Sequence, residues 1–115
     1  MPYVSIQTNE SFDQSERQAM LGKVSAFAAD LLGKAESKVM VRIDAGQDMV
    51  FAGTDEPAAF VQLKSIGLPR ERCSDYAAKI SEFFERELKI PRSRVFIDFT
   101  DIDRGLFALN GKTFA

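Results

Sequence analysis

The 115-residue sequence contains no histidine, which narrows the chemistry that it can support. Without imidazole, a serine or cysteine triad of the usual kind and a typical catalytic zinc site are both excluded. Acid–base catalysis must then use carboxylates, lysine, tyrosine or a terminal amine. Pro2 stands out, because methionine aminopeptidase removes Met1 before small residues such as proline. We therefore expect Pro2 to become the N-terminus, with a secondary amine that can act as a base.

The composition is that of one ordinary globular domain, which we place over residues 1–115. Hydrophobic residues make up 45% and charged residues 28%, and the net charge of −2 gives no support for binding nucleic acid or anionic membranes. The single cysteine, Cys73, cannot form an intrachain disulfide, which agrees with a reducing compartment. With no secretory leader or membrane span recognised, we expect a cytoplasmic protein, and leaderless secretion stays open.

Hydrophobic periodicity predicts two helices and a series of strands. The helices are expected over residues 13–32, where Gly33 supplies a stop signal, and 73–88. Strands are expected over residues 3–8, 38–44, 49–52, 60–66, 94–99 and 106–109. The second half repeats the order of the first, so we divide the chain into two pseudo-repeats of about residues 2–58 and 59–115.

Each half is predicted to be a β-α-β unit, in which the helix connects two parallel strands. Two such units give an α/β fold with a four-stranded mixed sheet, two helices on one face and short extra strands. The strands carry many apolar residues, so we expect some of them on the uncovered sheet face and an oligomer that covers it. The alternative is a second face that is polar enough to stay exposed, as Ser5, Gln7, Arg42, Gln62 and Lys64 allow.

Short segments spread along the whole chain point to one family. They are Met1-Pro2, Gly33-Lys34, Glu56-Pro57, Leu63-x-Ser65-Ile66-Gly67, Arg94-Val95-x-Ile97 and Thr113-Phe114-Ala115. With the duplicated β-α-β plan, their order and spacing resemble the macrophage migration inhibitory factor family of tautomerases. The resemblance implies an isomerase that interconverts the keto and enol forms of phenylpyruvate-like α-keto acids and of dopachrome-type substrates. It also implies a homotrimer with active sites between subunits, and neither a cofactor nor a metal.

The resemblance gives Pro2 the role of general base and then general acid. The ammonium of Lys34 would bind the substrate carboxylate, together with the backbone at Ile66, and Ser65 lies beside that contact. For Pro2 to act near neutral pH, the pKa of its amine must fall, and both burial and a nearby positive charge lower it. Apolar side chains such as Phe107 supply the burial, and Lys34 supplies the charge.

The expected pocket departs from that of the mammalian proteins of the family. Phe96 takes the place of a tyrosine, and Asp98 that of an asparagine contributed by the neighbouring subunit. The charge of Asp98 would raise the pKa of Pro2, whereas Lys38, in place of a pocket tyrosine, would offset it. Phe107 replaces a valine. We expect these changes to alter substrate preference more than reaction type, with Phe96 and Phe107 against the substrate ring.

The sequence also bears on three other functions. A cytokine-like signalling or protein-binding trimer with a vestigial pocket stays open, as the family includes such proteins. A decarboxylase or dehalogenase of the superfamily is less favoured, because such enzymes recruit arginines near the proline and the first unit's strands offer only Arg42. Thiol–disulfide exchange lacks its Cys-x-x-Cys element, which residues 58–61 replace with Ala-Ala-Phe-Val, so Cys73 is expected to be a passive thiol.

Overall fold

Six strands and two helices make up the fold, in a computed structural model that describes every residue from 1 to 115. The strands are β1 (Tyr3–Thr8), β2 (Met40–Asp44), β3 (Ala59–Ile66), β4 (Val95–Ile102), β5 (Ala108–Leu109) and β6 (Lys112–Thr113). The helices are α1 (Gln14–Leu32) and α2 (Cys73–Leu88). Short 3-10 turns occupy Glu36–Lys38, Arg70–Arg72, Arg92–Arg94 and Arg104–Leu106.

The main sheet has four strands in the order β2-β1-β3-β4. β1 runs parallel to β2, β3 runs parallel to β4, and the two central strands are antiparallel to each other. Each half of the chain is therefore a β-α-β unit, and the two units join through β1 and β3. This confirms the predicted mixed sheet.

Both helices pack on the same face of the sheet and enclose a single core. The side chains buried there from the central strands are Val4, Ile6, Val61 and Leu63, and those from the helices include Val24, Ala28, Ile80, Phe83 and Phe84. The alternation of the strands places every second residue in this core, because successive side chains point to opposite faces. The expected layer arrangement is confirmed.

The free face of the sheet corrects one expectation. The apolar strand residues at the core positions face the helices: Val4, Ile6, Val41, Ile43, Val61, Leu63, Val95, Ile97 and Phe99. The cross-strand rows on the other side are mostly polar but include Met40, Phe60 and Phe96. These rows are Tyr3/Met40/Lys64/Thr100, Ser5/Arg42/Gln62/Asp98 and Gln7/Asp44/Phe60/Phe96. The core-facing residues were expected to divide between the two faces, which was wrong, since one consistent period-2 register puts them all on the helix side. The free face is mostly polar, as the alternative allowed, and its apolar side chains are Met40, Phe60 and Phe96, with Ile66 and Ile102 in the next row.

Helix α1 has well-formed ends. At its start, Asp13 Oδ1 accepts a hydrogen bond from the Glu16 amide at 2.7 Å, while the Asp13 amide donates to Glu16 Oε1 at 3.0 Å. This capping box satisfies two amides that the helix leaves without partners. At its end, Gly33 adopts the left-handed conformation with φ 64°, which glycine tolerates without strain. The predicted bounds of 13–32 are therefore nearly those observed.

We expect Asp13→Ala to lower the free energy of unfolding by about 1 kcal/mol, because the Glu16 amide loses its acceptor. The matched control is Asp13→Asn, which keeps a side-chain oxygen and is expected to cost only a few tenths of a kcal/mol. Urea denaturation at one fixed protein concentration measures both. Equal losses in the two variants would contradict the role of the cap.

Two short strands were predicted differently. Residues 49–52 form no strand, since only an isolated bridge between Phe51 and Thr54 is present. At the C-terminus, the strand expected over 106–109 is reduced to β5, which pairs with the unpredicted β6 around Asn110-Gly111. Both turn residues have positive φ, 55° and 76°, as a tight hairpin turn requires. Neither helix is long and apolar enough to cross a membrane.

Candidate functional site

A cavity of about 340 Å³ opens at the start of β1. Its size lies within the usual range for small-molecule sites. Its walls are mainly apolar and contain no carboxylate: Met1, Pro2, Tyr3, Ser37, Lys38, Val39, Met40, Phe107, Ala108, Leu109 and Phe114. The ionisable groups at the cavity are the terminal amine, the Tyr3 phenol and the Lys38 amine.

Main-chain pairing fixes Pro2 at this cavity. The Pro2 carbonyl accepts a hydrogen bond from the Met40 amide at 3.0 Å, which extends the pairing of β1 with β2 by one residue. The ring of Pro2 is fully buried, whereas Met1 is half-buried. The residue predicted to act as a base is therefore held rigidly on a strand and not on a fraying terminus.

The C-terminal hairpin supplies the aromatic wall. The turn at Asn110-Gly111 brings Phe107 opposite Phe114, whose rings stack with centroids 6.0 Å apart. The Phe114 amide donates to the Phe107 carbonyl at 3.0 Å and to the Arg104 carbonyl at 3.0 Å, which anchors the end of the chain. Phe107, a predicted site residue, thus lines the cavity next to Phe114.

The terminal amine lies in a field that favours its neutral form. Burial lowers the pKa of the Met1 amine from its ordinary value, and the positive charges of Lys34 and Lys38 lower it further. Burial penalises the ammonium because it loses water, and like charges repel it. In the chain as described, this amine stands one residue outside the position that a Pro2 amine would take.

The two lysines contribute differently. Lys38 lines the cavity, as predicted for a pocket residue. Lys34 follows the left-handed Gly33 at the end of α1, with its amide donating to the Ala29 carbonyl at 3.0 Å. Its side chain is exposed and does not line the cavity. Its charge still lowers the pKa of the Met1 amine, so Lys34 acts on that amine from outside the cavity wall.

Ser65 and Ile66 lie beside Pro2 at the end of β3. The pairing of Tyr3 with Lys64, continued by one residue, places Ser65 opposite Pro2. Both Ser65 and Ile66 are buried, and neither lines the cavity, so Pro2 lies between them and the cavity. The Ser65 hydroxyl is the only buried side-chain polar atom without a hydrogen-bond partner. An unpartnered buried hydroxyl costs about 1–3 kcal/mol, so this end of the sheet has an unused hydrogen-bonding group.

Phe96 and Asp98 do not join the cavity of their own chain. In register, Phe96 lies opposite Phe60 and Asp98 opposite Gln62, on the free face of the sheet. Phe60 is five residue steps from Ser65 along β3, which corresponds to about 17 Å along the strand. If these residues belong to a site with Pro2, they must come from another copy of the chain.

Several cavity walls were missed by the sequence reasoning. Tyr3, Val39, Met40 and Phe114 were assigned no role at a site, although all four line the cavity. For Phe114 a signal was available, because Asn-Gly between two short β-prone runs predicts a hairpin that would pair Phe107 with Phe114. For Met40 there was none, since a methionine in a strand predicts only an apolar neighbour.

The whole chain, residues 1–115, matches the family model described as macrophage migration inhibitory factor (MIF). The chain belongs to the MIF family. A MIF homolog of Brugia malayi is 42% identical over 115 residues, covering 99% of this chain and 99% of that protein. The crystal structure of a MIF homologue from Prochlorococcus marinus superimposes with a TM-score of 0.89 at 33% identity, covering 98% of this chain and 99% of the other.

Relatives of different activity also match. A protein named D-dopachrome decarboxylase from Bos taurus is 33% identical over 107 residues, covering 90% of this chain and 89% of that protein. The MIF family thus includes enzymes of the tautomerase type and D-dopachrome decarboxylase, and some of its members are cytokines. Family membership establishes the fold of the chain and the family to which it belongs. The residues that line the cavity indicate which reaction should be assayed.

Proposed function

We propose that this protein is a keto–enol tautomerase of phenylpyruvate-like α-keto acids, with Pro2 as the catalytic base after Met1 is removed. The observation that carries the proposal is the position of Pro2, held on a strand at an apolar cavity and next to the Met1 amine, whose pKa is lowered by burial and by the charges of Lys34 and Lys38. Removal of Met1 would leave the Pro2 nitrogen as a secondary amine at the inner end of this field. The same burial and charges then favour its neutral, basic form.

The reaction needs one group that accepts a proton and returns it. In the forward direction, the neutral Pro2 nitrogen takes a proton from the carbon next to the keto group, and an enolate forms. The resulting prolinium returns that proton to the enolate oxygen, so no proton is gained or lost overall. A single acid–base group of this kind works best when its pKa lies near the working pH.

The cavity provides groups for the remaining parts of the substrate. The ammonium of Lys38, with Lys34 close by, is suited to attract the substrate carboxylate and to stabilise negative charge on the enolate oxygen. The stacked rings of Phe107 and Phe114 offer an apolar surface for the substrate ring. Ser65, behind Pro2, has a free hydroxyl, and the backbone near Ile66 is proposed as a carboxylate contact.

We propose that the site is completed in a homotrimer, where Phe96 and Asp98 of one copy face the cavity of the next. Phe96 is 61% exposed in the single chain, and Met40 and Leu109, which line the cavity, are 66% and 52% exposed. Large apolar side chains so exposed at a cavity mouth are typical of an interface. Light scattering at low micromolar concentration tests the trimer, and a monomer would remove Phe96 and Asp98 from the site.

The direct test compares two forms of one sequence. Intact-mass measurement separates protein that has lost Met1 from protein that retains it, and both are assayed with phenylpyruvate. In the form that retains Met1 the Pro2 nitrogen is an amide and cannot accept a proton. We expect its kcat/KM to be lower by about a hundredfold or more. Equal turnover by the two forms, with equal circular dichroism spectra, would overturn the proposal.

The two lysines are expected to set the pH range of the reaction. A neighbouring positive charge destabilises the ammonium, so removing it raises the pKa of the amine. In Lys34→Gln and Lys38→Gln, the acidic limb of the pH profile of kcat/KM should therefore move to higher pH. Lys79→Gln, on the exposed side of α2, is the control and should leave the limb in place. An unmoved limb in both variants would contradict the electrostatic role.

Decarboxylation is the second candidate, because the bovine relative is named D-dopachrome decarboxylase. The carboxylate of a dopachrome-type substrate would use the same lysines, and the two reactions differ in whether carbon dioxide is released. Arg42 gives this candidate no support, since it lies on the free sheet face and its guanidinium pairs with Asp44 at 3.2 Å. Measuring carbon dioxide with D-dopachrome, next to isomer formation with phenylpyruvate, separates the candidates.

A further inference from the structure

Arg94 is buried without a carboxylate partner, which is unusual for an arginine. It is 9% exposed and forms none of the ion pairs of the chain. Its guanidinium instead donates to four main-chain carbonyls, those of Pro57 (2.9 Å), Phe51 (3.0 Å), Glu56 (3.0 Å) and Thr54 (3.3 Å). A buried charge is tolerated only when its hydrogen bonds are made in this way.

The four carbonyls belong to one segment that has little structure of its own. Between β2 and β3, residues 51–57 contain only the Phe51–Thr54 bridge, and Ala52 has a positive φ of 53°, which is strained for a residue other than glycine. Asn9 holds the far end, donating to the Asp55 and Glu56 carbonyls at 3.1 and 2.9 Å. Arg94 also binds the far end, through Glu56 and Pro57, and it is the side chain that holds the near end, through the carbonyls of Phe51 and Thr54.

Phe51 links Arg94 to Phe96. The Arg94 guanidinium carbon lies 5.2 Å from the centre of the Phe51 ring, within the range of a cation–π contact. The ring of Phe51 then meets that of Phe96 edge to face, with centroids 5.0 Å apart. Phe96 is 61% exposed, so few other contacts fix its ring. Its orientation depends on Phe51, and the position of Phe51 depends on Arg94.

We propose that Arg94 is a positioning residue that, through Phe51, fixes the ring of Phe96 as a wall of the neighbouring copy's site, and so favours aromatic over aliphatic α-keto acids. This inference rests on the proposed function and on the trimer, because only there does Phe96 reach a cavity that contains Pro2. Arg94 does not touch the substrate. It acts on how well a substrate ring is held, and not on the proton transfer at Pro2.

The test uses two variants, Arg94→Lys and Phe51→Leu, each made in the native protein and in the Phe96→Leu protein. Arg94→Lys keeps the charge but cannot reach four carbonyls, whereas Phe51→Leu removes the ring contact and keeps all four hydrogen bonds, since Arg94 binds the Phe51 carbonyl. We expect each to raise KM for phenylpyruvate by about two- to tenfold, the loss of one aromatic pair. The value of kcat should stay within about twofold, as should both constants for an α-keto acid with an aliphatic side chain.

The same variants are then made together with Phe96→Leu. If Arg94 and Phe51 act through the Phe96 ring, they should add nothing to KM once that ring is gone, because the effects of residues in one chain of contacts are not additive. Equal effects in both backgrounds, or equal effects on the aliphatic substrate, would overturn the inference. If Arg94→Lys fails to fold, Phe51→Leu alone decides, since its hydrogen bonds are intact.

A measurement without substrate separates this inference from the proposed function. The ring protons of Phe96, assigned by their loss in Phe96→Leu, should shift in the NMR spectra of both Arg94→Lys and Phe51→Leu. If they shift but the native protein shows no turnover, the proposed function fails and the coupling of Arg94 to Phe96 stands. If the native protein is active but the Phe96 signals stay unchanged, the inference about Arg94 fails and the proposed function stands.

Discussion

Replacing Pro2 by glycine is expected to lower kcat/KM for phenylpyruvate by about a hundredfold or more, the usual contribution of a positioned acid–base group. Glycine also permits removal of Met1, so the variant keeps an N-terminal amine in nearly the same place. That amine is primary and lies on a residue with more conformational freedom, so it is a poorer and less well-placed base. Initial rates of enol formation, with the mass of each protein verified, measure the loss.

Tyr3→Phe is the control for this experiment. Tyr3 also lines the cavity, and its phenol is an alternative proton carrier there. We expect Tyr3→Phe to keep turnover within about threefold, because a neutral phenol is a much weaker base than an amine. Loss of activity in Tyr3→Phe with unchanged activity in Pro2→Gly would assign the reaction to the phenol and overturn the role of Pro2.

Labelling of the terminal amine across pH gives a second readout for the same residue. Burial and the charges of Lys34 and Lys38 lower the pKa of the Met1 amine, and Pro2, the next residue, has a fully buried ring. We therefore expect the amine of the processed protein to react as a free base at a lower pH than an unhindered N-terminal proline. An amine that titrates at its ordinary value, with no turnover, would favour a cytokine-like protein with a vestigial pocket.

The sequence predicted most of the fold because its local signals agree with its packing. The capping box at Asp13 and the left-handed Gly33 are read directly from residue types, and they bound α1 within about one residue. The strands of the main sheet alternate, so the same residues specify both the strand and the face that enters the core. The sheet face was the one feature that this alternation was used to predict wrongly, because the core residues of the strands were not all assigned to the helix side.

The segment at residues 49–52 shows where local reasoning fails. Met-Val-Phe-Ala has the composition of a strand, yet Phe51 is ordered by the guanidinium of Arg94, which lies more than forty residues later. No local pattern indicates that contact, because it depends on tertiary structure. The same limit applies to Arg94 itself, which the sequence marked only as part of a family motif.

The candidate site was predictable in part, for physical reasons. Pro2, Lys38 and Phe107 meet in one cavity, and Lys34 is near enough to affect the terminal amine. Phe96 and Asp98 do not line the cavity of their own chain, because they lie on β4, away from the start of β1. Which copy they serve depends on assembly, which neither local propensity nor the fold of the single chain determines.

The largest expected effect on stability comes from Phe84, whose ring is 2% exposed between α2 and the sheet. Phe84→Ala removes that ring from the core and leaves a cavity, so we expect the free energy of unfolding to fall by about 3–5 kcal/mol. Phe84→Leu keeps most of the apolar volume and should cost less than about 2 kcal/mol. Urea denaturation at one protein concentration measures both.

Phe96→Ala is the matched control, since it makes the same substitution at an exposed ring. With 61% of Phe96 exposed in the single chain, we expect Phe96→Ala to cost less than Phe84→Ala at a protein concentration that keeps the proposed trimer assembled. The two variants should then separate stability from function. Phe84→Ala should keep its KM for phenylpyruvate once the assay counts only folded protein, whereas Phe96→Ala should raise KM while staying folded. Equal loss of stability in both would contradict the placement of Phe84 in the core and of Phe96 on the free face, because only a buried ring leaves a cavity behind.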